Sequence, residues 1–355
     1  MTGRERLLCA LNHKEPDTVP VFECVYSRPL FKEVLGYVPE TFDPVSVLEC
    51  SHRIGYDFAF IPIPGVSGFR PEGMKDTVYV DEWGIKRMIA DNTWPIDAEI
   101  EVPLKNAEDW ANYKMPDPEA EFRYKGLADC LKLAKEYGMG VVGNVRGPFS
   151  AAWQLFGMEN FFIMLYEDPD TVHQALTAST EFSLACARRM AQMGVDAILY
   201  SDDYGSIEAP LLSPAHFREF IVPQLVRIQE ETAKMGQKML LHSDGNIGEL
   251  IPDIMSTGIQ GLHPIQRCKG IDLADIKSKY GHQVTIFGNI DNSTTLVSGT
   301  TEEIEEMVKE CIRIAGPGGG YCLGSDHSVH DDIPNKNVFT VYEAARRYGK
   351  YPINI

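Results

Sequence analysis

The sequence predicts a (β/α)8 barrel, also called a TIM barrel. Eight short apolar runs recur along the chain, at 19–23, 58–63, 140–145, 197–201, 238–242, 261–265, 284–288 and 321–324. Most are aliphatic or β-branched with little alternation, the pattern of strands buried on both faces. The stretches between them leave room for helices. Eight alternating β and α units suit a closed barrel better than a doubly wound sheet.

The helix boundaries agree with that rhythm. Asp168-Pro169-Asp170 starts one helix. Ser213 caps another, with Pro214 at its first position. Thr300-Thr301-Glu302-Glu303 opens a third, which stops near Gly316-Pro317. Residues 69–103 break the pattern. There 77–80 and 85–89 flank Asp81-Glu82-Trp83-Gly84, which predicts a β-hairpin insertion after the second strand. The whole chain, 1–355, then reads as a single domain.

Charge narrows the partners. The 33 Lys and Arg stand against 51 Asp and Glu, a formal charge of −18. Nucleic acid and anionic membrane would both be repelled. A small molecule or another protein fits better. The eight cysteines include no C-x-x-C pair and read as reduced, mostly buried thiols. The amino-terminal residues lack an apolar signal core, and the most apolar stretch, 151–166, is interrupted by Gln154, Glu159 and Asn160. A cytoplasmic protein is expected, and a homodimer is compatible with the sequence.

Barrel enzymes build their sites at the carboxyl ends of the strands. Here the first run is followed by Glu23, Cys24 and Tyr26, and the third by Arg146. The fourth gives Asp202-Asp203-Tyr204 and the fifth His242-Ser243-Asp244. The sixth gives His263 and Gln266, the seventh Asn289 and Asp291, and the eighth Asp326-His327. On extended chain, residues two apart point the same way, so His242 and Asp244 can reach one ion. A third ligand could come from Asp202, Asp203, His263, Gln266, Asp326 or His327. Imidazole with carboxylate suits Zn²⁺. Equally, His242 and Asp244 could simply hydrogen-bond neighbouring loops. Asp202 and Asp203 are candidates for a metal ligand, a substrate contact or a helix cap. Arg146 either binds a carboxylate or pairs with one of those aspartates. Gly316-Pro317-Gly318-Gly319-Gly320 follows a helix and precedes a strand, so it is a helix stop and not a phosphate loop.

Several ordered segments resemble the uroporphyrinogen decarboxylase superfamily. They are Asp202-Asp203, Pro210-Leu211-Leu212-Ser213-Pro214 with Phe217-Arg218, Leu241-His242-Ser243-Asp244-Gly245-Asn246-Ile247, Gly261-Leu262-His263-Pro264-Ile265-Gln266, Gly288-Asn289-Ile290-Asp291 and Gly316-Pro317-Gly318-Gly319-Gly320-Tyr321. The similarity runs from about Arg4 to the carboxyl terminus and implies the same (β/α)8 fold. True decarboxylases of the family carry Arg-Gln-Ala-Gly-Arg after the first strand, for the substrate carboxylates. This chain has Phe22-Glu23-Cys24-Val25-Tyr26-Ser27-Arg28 there, and an acid would repel such a substrate. After the second strand, Ile61-Pro62-Ile63-Pro64 offers no match for the family's pyrrole-binding aspartate.

The resemblance is therefore to the branch of zinc-dependent methyltransferases that work with a corrinoid protein. Its coenzyme M members have His-x-Cys at the fifth strand and a later Cys. Here Asp244 replaces the first Cys, and Ser325-Asp326-His327 stands near the second. What the resemblance implies is an O-demethylase-type enzyme. It would move a methyl group from a methoxylated substrate, an aromatic one by expectation, to the cob(I)alamin of a partner protein. Expected metal ligands are His242, Asp244 and His327, and expected catalytic groups Asp202, Asp203 and Asp244. Expected substrate contacts are Glu23, Tyr26, Arg146, Tyr204, His263 and Asn289. Two rivals differ in what they predict. A decarboxylase-like lyase on a smaller acid needs Arg146 and no metal. A non-catalytic ligand-binding barrel tolerates His242→Ala.

Overall fold

The computed structural model describes residues 1–64, 70, 76–90 and 93–355. In chain order its strands are β1 (Val25–Tyr26), β2 (Phe58–Pro62), β3 (Val78–Val80), β4 (Lys86–Met88), β5 (Ala98–Glu101), β6 (Gly140–Arg146), β7 (Ala197–Ser201), β8 (Met239–His242), β9 (Gly261–His263), β10 (Thr285–Phe287), β11 (Tyr321–Cys322) and β12 (Val329–His330). Seven of them form one parallel sheet in the order β11-β10-β9-β8-β7-β6-β2. Helices fill the connections, as parallel neighbours require.

The run 19–23 differs from expectation. It forms one parallel bridge, Val21 with Leu323, rather than a full strand. Pro20 has no N–H to give, and the Val21 N–H goes to the Asp57 carboxylate at 2.8 Å instead of to a carbonyl. The segment nevertheless links both edges of the sheet. Leu323 N donates to Pro20 O at 2.8 Å on one side, and Asp57 N to Val21 O at 2.8 Å on the other. Strand pairing resumes in parallel between β1 and β12.

Alternation along the strands separates two apolar layers. Phe22, Phe58, Phe60, Val142, Ala197, Leu199, Leu240 and Phe287 pack together in the interior of the curled sheet. Ala59, Ile61, Val141, Ile198, Tyr200, Leu241 and Leu262 face the surrounding helices. The helix Gly3–Leu11 packs Leu7, Ala10 and Leu11 against the inner layer. A Cβ on Gly140 would come within 2.7 Å of Leu7, so close packing there requires glycine.

The helix starts agree with the sequence. Asp168 caps Pro169–Met193, and Thr300 forms a capping box on Thr301–Ala315. Ser213 caps the short helix Pro214–His216, which continues through a π turn into Val222–Lys234. The stretch 69–103 contains the expected antiparallel pairing, Val78 opposite Met88 and Val80 opposite Lys86. A third strand, β5, adds to it. Residues 69, 71–75 and 91–92 of that stretch lie outside the described residues. All eight cysteines are free thiols, five of them buried. Among the described residues, no helix is long and apolar enough to cross a membrane.

Candidate functional site

Strand parity decides which polar side chains meet. His242 shares the inward parity of Leu240, and Ser201 that of Ala197 and Leu199. Arg146 follows Val142. Register sets Arg146 beside Ser201, Ser201 beside His242 and His242 beside His263. Two residues further on, Asp203 and Asp244 keep the same side.

The result is a cluster at the strand ends. Ligand atoms of Asp203, His242 and Asp244 all lie within 4.8 Å of one another. His242 Nε2 is 3.4 Å from Asp203 Oδ1 and 3.4 Å from Asp244 Oδ2. The two His Nδ1 atoms, of His242 and His263, are 2.6 Å apart. Asp244 Oδ1 is buried and accepts no hydrogen bond among the described residues. An orphaned buried carboxylate oxygen beside an imidazole and a second carboxylate fits a divalent cation, with N and O ligands that suit Zn²⁺.

The electrostatics follow from these contacts. Burial disfavours a charged His242, but Asp244 and Asp203 outweigh it and raise the ring to about 9. Burial likewise opposes ionisation of Asp244, yet His242 and His327 hold its carboxyl well below the usual range. His263 is pushed far down by burial and then by His242, so it is neutral.

The other candidates for a third ligand have hydrogen-bond partners of their own. Asp202 has the opposite parity to Asp203. It accepts from Phe149 N at 3.0 Å, Ser150 N at 2.6 Å and the Tyr204 hydroxyl at 2.8 Å, fixing the start of the helix Pro148–Phe156. Gln266 Oε1 accepts Gly245 N at 2.6 Å. Asp326 accepts Arg267 N and Asn292 N, both at 3.0 Å. His327 engages both ring nitrogens: Nε2 lies 3.0 Å from Asp244 Oδ2, and Nδ1 accepts from Ser328 N at 2.8 Å. A nitrogen that accepts a backbone N–H carries no proton, so Nε2 is the donor to Asp244. The structure thus gathers Asp203 with His242 and Asp244, where the sequence suggested His327.

Several expected substrate contacts are buried. Tyr204 is fully buried with its hydroxyl on Asp202. Asn289 is buried, donating from Nδ2 to Ile265 O at 3.0 Å. Gly288 before it has φ +119, and a Cβ would meet Pro264 O at 2.0 Å, so only glycine lets these loops touch. His263 lies among Phe22, Phe60 and Phe287. Tyr26 and Arg146 remain at the mouth. Burial raises the Tyr26 hydroxyl, and Arg146, Asp244 and Asp203 are among the charges acting on it. Burial lowers Arg146, and Asp203 and Glu99 counter that. Sequence reading missed Arg87 and Glu99 of the antiparallel strands, which bring that sheet to Arg146. The signal was a basic residue in mid-strand: Arg87 is buried and paired with Asp81.

Glu23 is buried and takes Ser325 N at 2.9 Å. Ser325 Oγ has one proton and two oxygen neighbours, Glu23 Oε2 and His327 O. A protonated Glu23 resolves the competition by donating to Ser325 Oγ. Burial raises the carboxyl from 4.5 to about 8, despite the Ser325 contacts. Since the folded value lies above the unfolded one, Glu23 adds stability in full below about pH 4.5. That contribution fades as pH rises through 8. Glu23→Gln is expected to flatten the pH dependence of unfolding between about 5 and 8, by on the order of a few kcal/mol. Urea titrations across that range check it, and an unchanged slope would contradict it.

Three comparisons with known proteins bear on this geometry. The model of the uroporphyrinogen decarboxylase family matches residues 79–348. A methylcobamide:CoM methyltransferase, MtaA, of Methanosarcina barkeri is 26% identical over 229 residues, 64% of each chain. The match thus spans less than two thirds of that relative's length. A uroporphyrinogen decarboxylase of Coxiella burnetii is 25% identical over 293 residues, covering 77% of this chain and 76% of its own. A solved methyltransferase from Methanosarcina mazei shares the fold, with a TM-score of 0.78 at 22% identity over 98% of this chain and 99% of that one.

Proposed function

This chain belongs to the uroporphyrinogen decarboxylase family, and from that premise we propose that it is a methyltransferase. It takes a methyl group from a methoxylated, aromatic substrate and passes it to the cob(I)alamin of a corrinoid partner protein. The observation that carries the reading is the Asp203, His242 and Asp244 cluster at the strand ends. The seven-stranded parallel sheet, with residues 19–23 bridging its two edges, supports reading the fold as a (β/α)8-type barrel.

Zn²⁺ is the group the cluster would hold. When bound, it supplies Lewis acidity at the ether oxygen, which makes phenolate a better leaving group. Asp203, His242 and Asp244 would hold it. His327 orients Asp244 through Nε2, and Asp202 fixes the backbone that carries Asp203. His242 would give up its Nε2 proton on loading. Tyr26 and Arg146 line the approach for substrate. The stretch Phe22 to Arg28 offers no free cation for a polycarboxylate, because Arg28 is paired with Asp331 and Glu23 is tied to Ser325. This speaks against uroporphyrinogen as the substrate.

A pH effect follows from His242. Its ring sits at about 9 without metal, so below that pH the ion must displace a proton. Zn²⁺ affinity is expected to rise up to about tenfold per pH unit from pH 7 towards 9, then level off. Competition with a chromophoric chelator measures this; an affinity flat in pH would contradict it.

The test of function uses a panel of aryl methyl ethers, with cob(I)alamin followed by its visible spectrum, and small aromatic acids followed by CO2 release. Loss of the cob(I)alamin bands with at least one ether supports the proposal. CO2 release without methyl transfer favours the lyase reading.

A further inference from the structure

We propose that His263 is a positioning residue: its Nδ1 accepts the Nδ1–H of His242 and thereby turns the His242 Nε2 lone pair towards Asp203 and Asp244. The inference rests on reading that cluster as a metal site. Strands β8 and β9 place the two rings side by side, His242 in register with His263, both with inward parity. Their Nδ1 atoms are 2.6 Å apart, close enough for a hydrogen bond and too close for two protons.

One proton between two rings leaves two arrangements. If it sits on His263, a neutral His242 carries its own proton on Nε2 and has no lone pair facing the carboxylates. If it sits on His242, Nε2 is free. A cation at His242 Nε2 needs the lone pair there, which puts the shared proton on His242 Nδ1 and makes His263 the acceptor. Its ring lies 5.5 Å from Phe22, 5.0 Å from Phe60 and 6.5 Å from Phe287, centroid to centroid. These rings fix the His263 imidazole beside His242, and with its Nδ1 accepting, its own proton sits on Nε2. His263 Nδ1 is then the acceptor. A metal-bound imidazole gains basicity and a fixed orientation from such a partner on its other nitrogen.

The test titrates Co²⁺ into wild type, His263→Phe and His263→Asn, reading the visible d–d bands, with thermal unfolding as a control. In parallel, ¹⁵N NMR locates the ring protons of wild type with Zn²⁺ bound. Phenylalanine removes the acceptor, and asparagine supplies one through Oδ1. His263→Phe is expected to lose about 10–100-fold in Co²⁺ affinity with altered bands. His263→Asn should stay closer to wild type, and NMR should place a proton on His242 Nδ1. If His263→Phe binds like wild type, the His263 role falls and the metal reading stands. A wild type that binds no Co²⁺ overturns both. If His263→Phe does not fold, the NMR decides alone: a proton on His263 Nδ1 in the Zn²⁺ form overturns the proposal.

Discussion

His242→Ala is expected to lower methyl transfer by about three orders of magnitude or more while leaving the fold in place. The side chain supplies the only nitrogen of the three-residue cluster. Without it, two carboxylates face each other at the mouth, and a divalent ion is held weakly. The ether oxygen then loses its Lewis acid, and a barrier reduction of several kcal/mol goes with it. The fold survives because the ring lies at the open end of the strand, above the apolar interior. His263 loses its partner, but it is neutral, and water reaching the vacated space can replace the bond. Steady-state transfer, metal content and thermal unfolding measured together check the expectation. Near wild-type transfer would contradict a metal at this cluster as the source of the rate.

Asp202→Ala acts through the backbone. Asp202 is fully buried and receives two backbone N–H groups and the Tyr204 hydroxyl. Removing the carboxylate strands three buried donors at once, at a cost of about 3 kcal/mol or more. The scaffold around it is tight: a Cβ on Gly147 would come within 2.2 Å of the Asp202 Cβ. A shift of that turn also moves Asp203, so metal affinity falls together with stability. Asp202→Asn keeps one acceptor oxygen and should lose roughly half as much. Chemical denaturation of the three proteins measures the order. Equal stability of Asp202→Ala and wild type would remove Asp202 from the scaffold.

Much of this was legible in the sequence, for physical reasons that can be named. Seven of the eight apolar runs became parallel strands because burial on both faces leaves a continuous hydrophobic signal. The run 19–23 showed the same signal but made a single bridge, because Pro20 and the Asp57 carboxylate interrupt its ladder, and Asp57 is distant in sequence. The pairing of His242 with Asp244 followed from extended-chain parity. The same parity separates Asp202 from Asp203: counting in twos from Leu199 puts Asp203 inward, and Asp202 against the helix that begins at Pro148. That His327 turns its Nε2 to Asp244 as a donor, while Asp203 lies with His242 and Asp244 in one cluster, was not readable. It depends on the Ser328 N–H occupying the His327 Nδ1, a detail of one loop. Glu23 was expected at a substrate, and the structure ties it to Ser325, 302 residues away in the chain. No local pattern reports such a contact.

If a metal ion held by Asp203, His242 and Asp244 enables methyl transfer to a corrinoid, removing the ion must abolish the reaction. The most direct measurement compares protein stripped by a chelator with the same protein reloaded with one equivalent of Zn²⁺. The readout is the loss of cob(I)alamin absorbance in the presence of an aryl methyl ether. Stripped protein is expected to be inactive, Zn²⁺ to restore transfer at about one ion per chain, and His242→Ala to stay inactive after reloading. Stripped protein that transfers methyl as fast as the reloaded form would contradict it.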